Sequence, residues 1–336
     1  MPDDIWSIRR AFDWTRNYLH TQGDSQARLS TEWLLADACG LSRIEVYTHF
    51  DKPLSEEERV HLRQSVKRRA SGEPLQYITG TVGFRHLTLA VRPGVLIPRP
   101  ETEVLVDLAL ELLPAANPDK QLMVLDVCTG SGCVGLALAS ERPDVRVIAT
   151  DICEHALALA EENASICQLS ERFTTVQADL FTPIKCDEER GREADCSCRG
   201  ERITAEGSGV TPASECRAVF DKDQGQSERV IDLITANPPY IPSAAAGMDA
   251  LPKEVADFEP LLALDGGPDG LSYARRILLQ APDHLRASGG LVLELDARNV
   301  HHAADFAVQL KRYKKIDIRS DLCGRQRFVT AVVKGT

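Results

Sequence analysis

The chain has 336 residues, 43% of them hydrophobic, and a formal net charge of −11. That length allows one large domain plus a smaller one with a sizeable core, and no apolar run approaches the roughly 20 residues that a membrane span requires. The acidic balance argues against a protein that tracks a nucleic-acid backbone, because such binding rests on basic side chains displacing counterions.

The start, Met1-Pro2-Asp3-Asp4-Ile5-Trp6, has neither a charged-then-apolar signal pattern nor an Arg/Ser-rich transit pattern, so a soluble cytoplasmic protein is expected. A helix-period stripe runs through Ile5, Ile8, Phe12, Thr15 and Leu19, and a second through Trp33, Leu34, Leu35 and Ala38, with Gly40 as its stop. A third helix starts at Ser55 and Glu58, a capping-box pair, and ends near Gly72. Its basic cluster, Lys67-Arg68-Arg69, either complements that helix end or forms a binding patch.

Between Gln76 and Ile97 the pattern changes to short β-type segments, Tyr77-Ile78-Thr79 and Leu87-Thr88-Leu89-Ala90-Val91, consistent with a hairpin linker. Pro98-Arg99-Pro100-Glu101-Thr102-Glu103 then opens an apolar helix from Val104 to Leu113, with proline and acids where a first turn favours them.

From Leu122 strands alternate with helices. Strands are expected at residues 123–127, 145–150, 173–177, 230–234, 291–295 and 328–333, six strands of a seven-strand pattern, and helices at 133–140, 155–164 and 271–285. Such alternation predicts a parallel sheet with helices on both faces and ligands at the carboxyl ends of the strands. Residues 185–229 are charged and rich in Gly, Ser and Glu, and read as a flexible surface insertion. Its cysteines, Cys186, Cys196, Cys198 and Cys216, lack the paired knuckles of structural zinc. Cys128, Cys133, Cys153 and Cys167 read as small buried apolar residues or free thiols.

Three features carry chemistry. Gly130 and Gly132 let the backbone approach a ligand and open a helix N-terminus. Asp151 follows about twenty residues later at a strand end, where a carboxylate either accepts ribose hydroxyls or caps the next helix. Asn237-Pro238-Pro239-Tyr240 stops the strand before it, since neither proline can donate a ladder hydrogen bond. This stiff loop offers an amide, a backbone carbonyl and an aromatic face to a small planar polar group, such as an amide or an amino-bearing base.

Together these features resemble the S-adenosylmethionine-dependent methyltransferases that act on planar nitrogen atoms. Within that class the chain looks like the release-factor glutamine methyltransferases (the PrmC/HemK family). The likeness is carried by residues 72–80, Leu96 to Glu103, Leu125-Asp126 with Thr129-Gly130-Ser131-Gly132, Asn237 to Ile241, and Glu259-Pro260 with Gly266 to Leu271. The resemblance implies a seven-stranded Rossmann-like α/β methyltransferase domain over residues 98–336, with the insertion at 185–229. Before it come a helical substrate-recognition domain over 1–75 and a β-hairpin linker over 76–97.

It further implies that Cys128, Thr129, Gly130, Ser131, Gly132 and Asp151 hold S-adenosylmethionine, with Leu180 beside the adenine and Asn237 also touching the cofactor. Asn237, Pro238, Pro239 and Tyr240 would surround the substrate glutamine of a peptide-chain release factor, with Asn237, Pro238 and Tyr240 as the catalytic set. No metal, membrane or nucleic-acid partner is implied. Two departures stand out: the family has glycine at the position of Cys128, where a Cβ either crowds the cofactor or demands a small backbone shift. The family's Glu-x-Gly-x-x-Gln appears as Glu294-Leu295-Asp296-Ala297-Arg298-Asn299, without the glycine and the glutamine. The alternatives are an adenine-N6 nucleic-acid methyltransferase, which shares the loop logic, and a catalytically impaired cofactor-binding homologue.

Overall fold

The structure is a computed structural model that describes residues 6–117, 119–183, 231–243 and 249–335. The predicted insertion at 185–229, with its four cysteines, lies outside the described residues. In chain order the helices and strands are α1 (Ile8–Thr21), α2 (Ala27–Cys39), α3 (Arg43–Thr48), α4 (Glu56–Ala70), α5 (Leu75–Thr79), β1 (Thr81–Phe84), β2 (Leu87–Ala90), α6 (Thr102–Leu112), β3 (Leu122–Val127) and α7 (Cys133–Glu141). They continue with β4 (Val145–Asp151), α8 (Glu154–Ile166), β5 (Phe173–Asp179), β6 (Thr182–Pro183), β7 (Ile231–Ala236), α9 (Lys253–Phe258), α10 (Ser272–His284), β8 (Leu285–Glu294), α11 (Val300–Gln309), β9 (Tyr313–Ser320) and β10 (Gln326–Val333). Among the described residues no helix is long and apolar enough to cross a membrane.

The chain forms two compact units, one of Met1–Thr81, Val91–Pro93 and Leu251–Glu259, the other of Val82–Ala90, Gly94–Ala250 and Pro260–Thr336. In the first, α1 buries Ile8, Phe12, Thr15 and Leu19 of the predicted stripe against Leu34, Leu35, Leu62 and Val66, while Ile5 lies outside the described residues. Gly40 ends α2 in the left-handed conformation that only glycine adopts without strain. The capping box is complete: the Glu58 N–H donates to Ser55 Oγ at 3.1 Å and the Ser55 N–H to Glu58 Oε2 at 2.7 Å. Trp33 departs from expectation and is 41% exposed, because Leu34 and Leu35 take the core positions while its ring lies under the Arg43 guanidinium.

Tyr77-Ile78-Thr79, expected as a β segment, is helical. Pro74 precedes that turn, Gly80 at φ 73° closes it, and burial of Tyr77 and Ile78 overrides their strand preference. Two of the three cluster residues are engaged within their own unit: Arg69 pairs with Asp24 at 2.9 Å and Glu254 at 2.7 Å, and Arg68 with Glu73 at 2.6 Å.

Among the described residues the second unit holds an eight-stranded sheet in the order β6-β5-β4-β3-β7-β8-β10-β9. Strands β3, β4, β5, β7 and β8 are parallel, but β10 runs antiparallel to both β8 and β9, and β6 antiparallel to β5. The sheet is therefore mixed rather than all parallel, and the two-residue β6 raises the strand count to eight. Strand β9 carries Lys314, Lys315 and Arg319 along the sheet edge, where charge discourages further strand pairing and masks the strand pattern.

Helices α6, α7 and α8 build the core on one face of the sheet, and α10 and α11 on the other. The chain runs outward from β3 through β4 to β5, then returns to place β7 on the other side of β3. That reversal is the topological switch point at which open α/β sheets leave a crevice at their carboxyl ends.

Candidate active site

Both predicted loops leave the sheet at this switch point. Register pairs Asp126 with Thr235 and Val127 with Ala236, so the turn after β3 and the loop after β7 start side by side. They contribute to one cavity in the second unit, together with residues 94–99, Thr102, Asp151, Leu180, Tyr273 and Arg276.

The turn after β3 is built on left-handed backbone: Cys128 has φ 58°, Gly130 φ 56° and Gly132 φ 83°. The two glycines serve different ends. A Cβ on Gly132 would meet Leu136, Ala160 and Phe173 at 3.1 to 3.2 Å, so that glycine permits packing of α7. A Cβ on Gly130 would meet no atom within 4 Å, so that glycine borders open space. Beneath the turn lies Asp126, fully buried, accepting from Thr129 Oγ at 2.7 Å, the Gly135 N–H at 3.2 Å and Thr235 Oγ at 2.7 Å. Burial nevertheless pushes its pKa up to about 6.

Asp151 does not cap α8; that position belongs to Cys153. Its Oδ2 accepts from the Gly130 N–H at 2.9 Å and its Oδ1 from the Cys153 N–H at 3.0 Å. The carboxylate thus ties the end of β4 to the glycine turn, and burial raises its pKa. Each oxygen keeps acceptor capacity, since a carboxylate offers about four lone-pair sites. Open space at Gly130 next to a strand-end carboxylate fits the ribose of a nucleoside-bearing cofactor. Leu180, at φ 57°, also lines the cavity, and its carbonyl accepts from Thr150 Oγ at 3.2 Å.

In the second loop, Asn237 and Pro239 line the cavity, whereas Pro238 is buried and Tyr240 packs into the core of the α10 and α11 face. Gly132, Pro238 and Tyr240 are thus the predicted site residues that lie outside the cavity wall. Burial, and then the nearby Glu294, raise the pKa of the Tyr240 phenol, which stays neutral. Asn237 Nδ2 donates to Thr102 Oγ at 3.3 Å, which leaves Oδ1 as the acceptor not used in that bond.

Residues to which the sequence assigned no role at the site fix this loop. Gly266 and Gly270 approach so closely that a Cβ would fall 2.7 Å from the Tyr240 Cα and 2.3 Å from the Tyr240 carbonyl oxygen, respectively. Asn299 donates from Nδ2 to that same carbonyl at 3.3 Å. Asn163 braces the glycine turn, donating to the Ser131 carbonyl at 2.9 Å while exchanging two bonds with the Ala90 backbone. The unusual Asp265-Gly266-Gly267 run was a signal for a close backbone approach; Asn163 and Thr102 left none, as their partners are remote in sequence.

A switch-point cavity walled by a glycine turn, a strand-end acid and an Asn-Pro-Pro-Tyr loop defines a methyltransferase. The sequence agrees: residues 102–189 match the methyltransferase small domain, and residues 10–80 match the PrmC N-terminal domain. A release factor glutamine methyltransferase of Geobacter sulfurreducens is 40% identical over 87% of this chain and 85% of its own length. Those of Moorella thermoacetica and Rhodopirellula baltica are 35% and 33% identical, each over at least 97% of both chains. The chain belongs to the release factor glutamine methyltransferase family.

Proposed function

We propose that this enzyme transfers a methyl group from S-adenosylmethionine to the side-chain amide nitrogen of a glutamine in a peptide-chain release factor in the cytoplasm. The observation that carries the reading is the placement of Asn237, with Oδ1 uncommitted to Thr102, in one cavity with the glycine turn and Asp151.

In this reading Asp151 receives the ribose hydroxyls, the backbone from Cys128 to Gly132 lies along the cofactor, Leu180 flanks the adenine and Asn237 touches the cofactor's reactive end. When bound, S-adenosylmethionine supplies an electrophilic methyl group. The chain's task is to make a poor nucleophile react, because an amide nitrogen shares its lone pair with the carbonyl. Hydrogen bonds from the substrate NH2 to Asn237 Oδ1 and the Pro238 carbonyl orient the nitrogen and disperse the positive charge that develops on it. Pro239 stiffens the loop, and Tyr240 supports the flat amide from the core side. The nitrogen gains a methyl group and loses a proton to solvent.

The test is methyl incorporation from labelled S-adenosylmethionine into purified release factor and, in parallel, into DNA. Label on a release-factor glutamine supports the reading, and label on DNA alone overturns it.

A further inference from the structure

Three elements meet behind Asn237. Strand β7 ends one residue before it, α6 begins with Thr102, and β8 ends with Glu294, one residue past the Ala236–Leu293 register pair. Thr102 is buried at 2% exposure and Glu294 at 1%. The Thr102 hydroxyl accepts from Asn237 Nδ2 and is hydrogen-bonded to the Glu294 carboxyl. The other carboxyl oxygen, Oε2, is buried and has no hydrogen-bond partner among the described residues. A buried carboxyl with half its acceptor capacity unused is costly, which asks what the arrangement does.

We infer that Glu294 and Thr102 form a positioning relay that sets which way the Asn237 amide faces. The argument is one of donors and acceptors. A threonine hydroxyl has a single proton to donate. When Glu294 is ionised it can only accept, so the Thr102 proton points to Glu294 and the Thr102 oxygen must accept from Asn237. Asn237 then turns its NH2 towards Thr102 and keeps Oδ1 for a guest N–H. When Glu294 is protonated it can donate to Thr102, the Thr102 proton becomes free to seek Asn237 Oδ1, and the amide can reverse. A reversed amide presents NH2 to NH2 and repels the substrate.

The groups around Glu294 leave its charge state open to pH. Burial raises its pKa to about 7, opposed by Thr102, Arg327 and Arg99 and reinforced by Glu101; Tyr240 and Cys133 also lie within its electrostatic reach. The inference rests on the reading of Asn237 as the acceptor for the substrate amide, but the orientation of that amide can be observed without turnover.

The experiment compares wild type with Thr102→Ser, Thr102→Val and Glu294→Gln, each checked for folding by thermal melting. The 15N resonance of the Asn237 side-chain amide, assigned by its loss in Asn237→Ala, is followed from pH 5.5 to 8.5. It is expected to titrate with a midpoint near 7 in wild type and Thr102→Ser, and to be flat in Thr102→Val and Glu294→Gln. A flat wild-type resonance, or one that still titrates in Glu294→Gln, overturns the relay whatever the substrate.

Turnover on purified release factor is measured in the same series. Thr102→Val should lower kcat by about 100-fold, in the range seen when an orienting hydrogen bond at a reacting centre is lost, with cofactor Kd within about threefold. Thr102→Ser should restore kcat to within about threefold. The wild-type kcat should fall as pH drops through 7, and Glu294→Gln should lack that limb. Equal kcat losses in the serine and valine variants would also overturn the relay. A titrating Asn237 amide in a wild type that does not methylate release factor would instead leave the relay standing and remove the proposed substrate.

Discussion

The two loops that wall the cavity each stand over a buried carboxyl, and the fold treats the two carboxyls differently. Asp126, under the glycine turn, accepts from three donors on β3's own turn, on α7 and on β7, so that both of its oxygens are engaged. Glu294, behind the Asn-Pro-Pro-Tyr loop, has Thr102 on one oxygen and, among the described residues, no hydrogen-bond partner on the other. An acceptor bonded on both oxygens holds the turn in a single arrangement, as a surface that binds cofactor needs. A half-satisfied one lets the hydrogen-bond direction behind the loop depend on a proton. One site thus holds a rigid support and an adjustable one, and substitution can remove either.

The largest effect is expected at the adjustable end. Asn237→Ala removes the amide outright and should cut kcat by about 100-fold to 1,000-fold, the cost of losing one preorganised partner of the charged transition state. Cofactor affinity measured by calorimetry should hold to within about threefold, since the glycine turn and Asp151 are untouched. Equal losses in turnover and cofactor binding would mean that Asn237 serves the cofactor rather than the substrate.

Next comes a pH effect on stability that both carboxyls share. Asp126 is raised from 3.8 to about 6 and Glu294 from 4.5 to about 7. In each case the native state binds the proton more tightly than the unfolded chain does. The stability that each contributes is complete below its unfolded pKa and is lost as pH rises through the folded one. Unfolding free energy should therefore fall between about pH 4 and pH 7, by about 3 kcal/mol for each group. Urea denaturation at pH 4.5, 6 and 7.5 would measure the slope. Asp126→Asn should remove the lower part of the fall and Glu294→Gln the upper part; an unchanged slope in both would mean that neither group titrates there.

The same contrast explains what could be read without coordinates. The glycine turn, Asp151 and the two prolines were legible because each states a backbone requirement locally: a left-handed φ, a strand end, a missing donor. Strands β3 and β4 were legible as largely apolar runs bounded by turn residues, and β5 by its β-branched and aromatic residues. The supporting partners were not. Thr102 meets Asn237 across 135 residues and Thr235 meets Asp126 across 109, and no local pattern encodes such a pairing. Glu294 and Asn299 were legible only as parts of a family pattern. Asn299 nonetheless reaches the Tyr240 carbonyl across 59 residues, so the altered segment still supports the loop. Strand β9 was missed because its lysines interrupt the apolar alternation, and α5 was misread because burial outweighed the propensities of Ile78 and Thr79.

At the rigid end, Asp151→Ala should weaken cofactor binding by about 1.5 to 3 kcal/mol, the worth of hydrogen bonds to a charged group, or roughly 10-fold to 150-fold in Kd. It also frees the Gly130 and Cys153 N–H groups that the carboxylate now receives, so some of that loss comes from a looser turn. Asp151→Asn separates the two contributions: its carbonyl can still accept one of these N–H groups, while the charge is gone. A Kd for Asp151→Ala indistinguishable from wild type would remove Asp151 from the cofactor site.

The smallest effect is expected at Cys128, the non-glycine residue of the turn with left-handed backbone. Cys128 holds φ 58° with a side chain, a conformation that costs an L-residue about 1 to 2 kcal/mol and glycine nothing. Burial, with Asp151, Asp126 and Asp179 adding to it, raises the thiol pKa well above its ordinary value, so substitution removes volume and strain without removing charge. Cys128→Gly releases the strain but gives the unfolded chain more entropy, worth about 0.5 to 1 kcal/mol in the opposite direction. The net gain should be about 0.5 to 1 kcal/mol, a rise of a few degrees in Tm for a domain of this size. Cys128→Ala keeps both the Cβ and the left-handed backbone and should show no rise. Cofactor affinity then decides between the two ways the chain could accommodate a Cβ here. A gain of more than about tenfold in Cys128→Gly means that the side chain crowds the cofactor, whereas an unchanged Kd with a higher Tm means that the backbone has absorbed it as local strain within the turn that Asp126 holds.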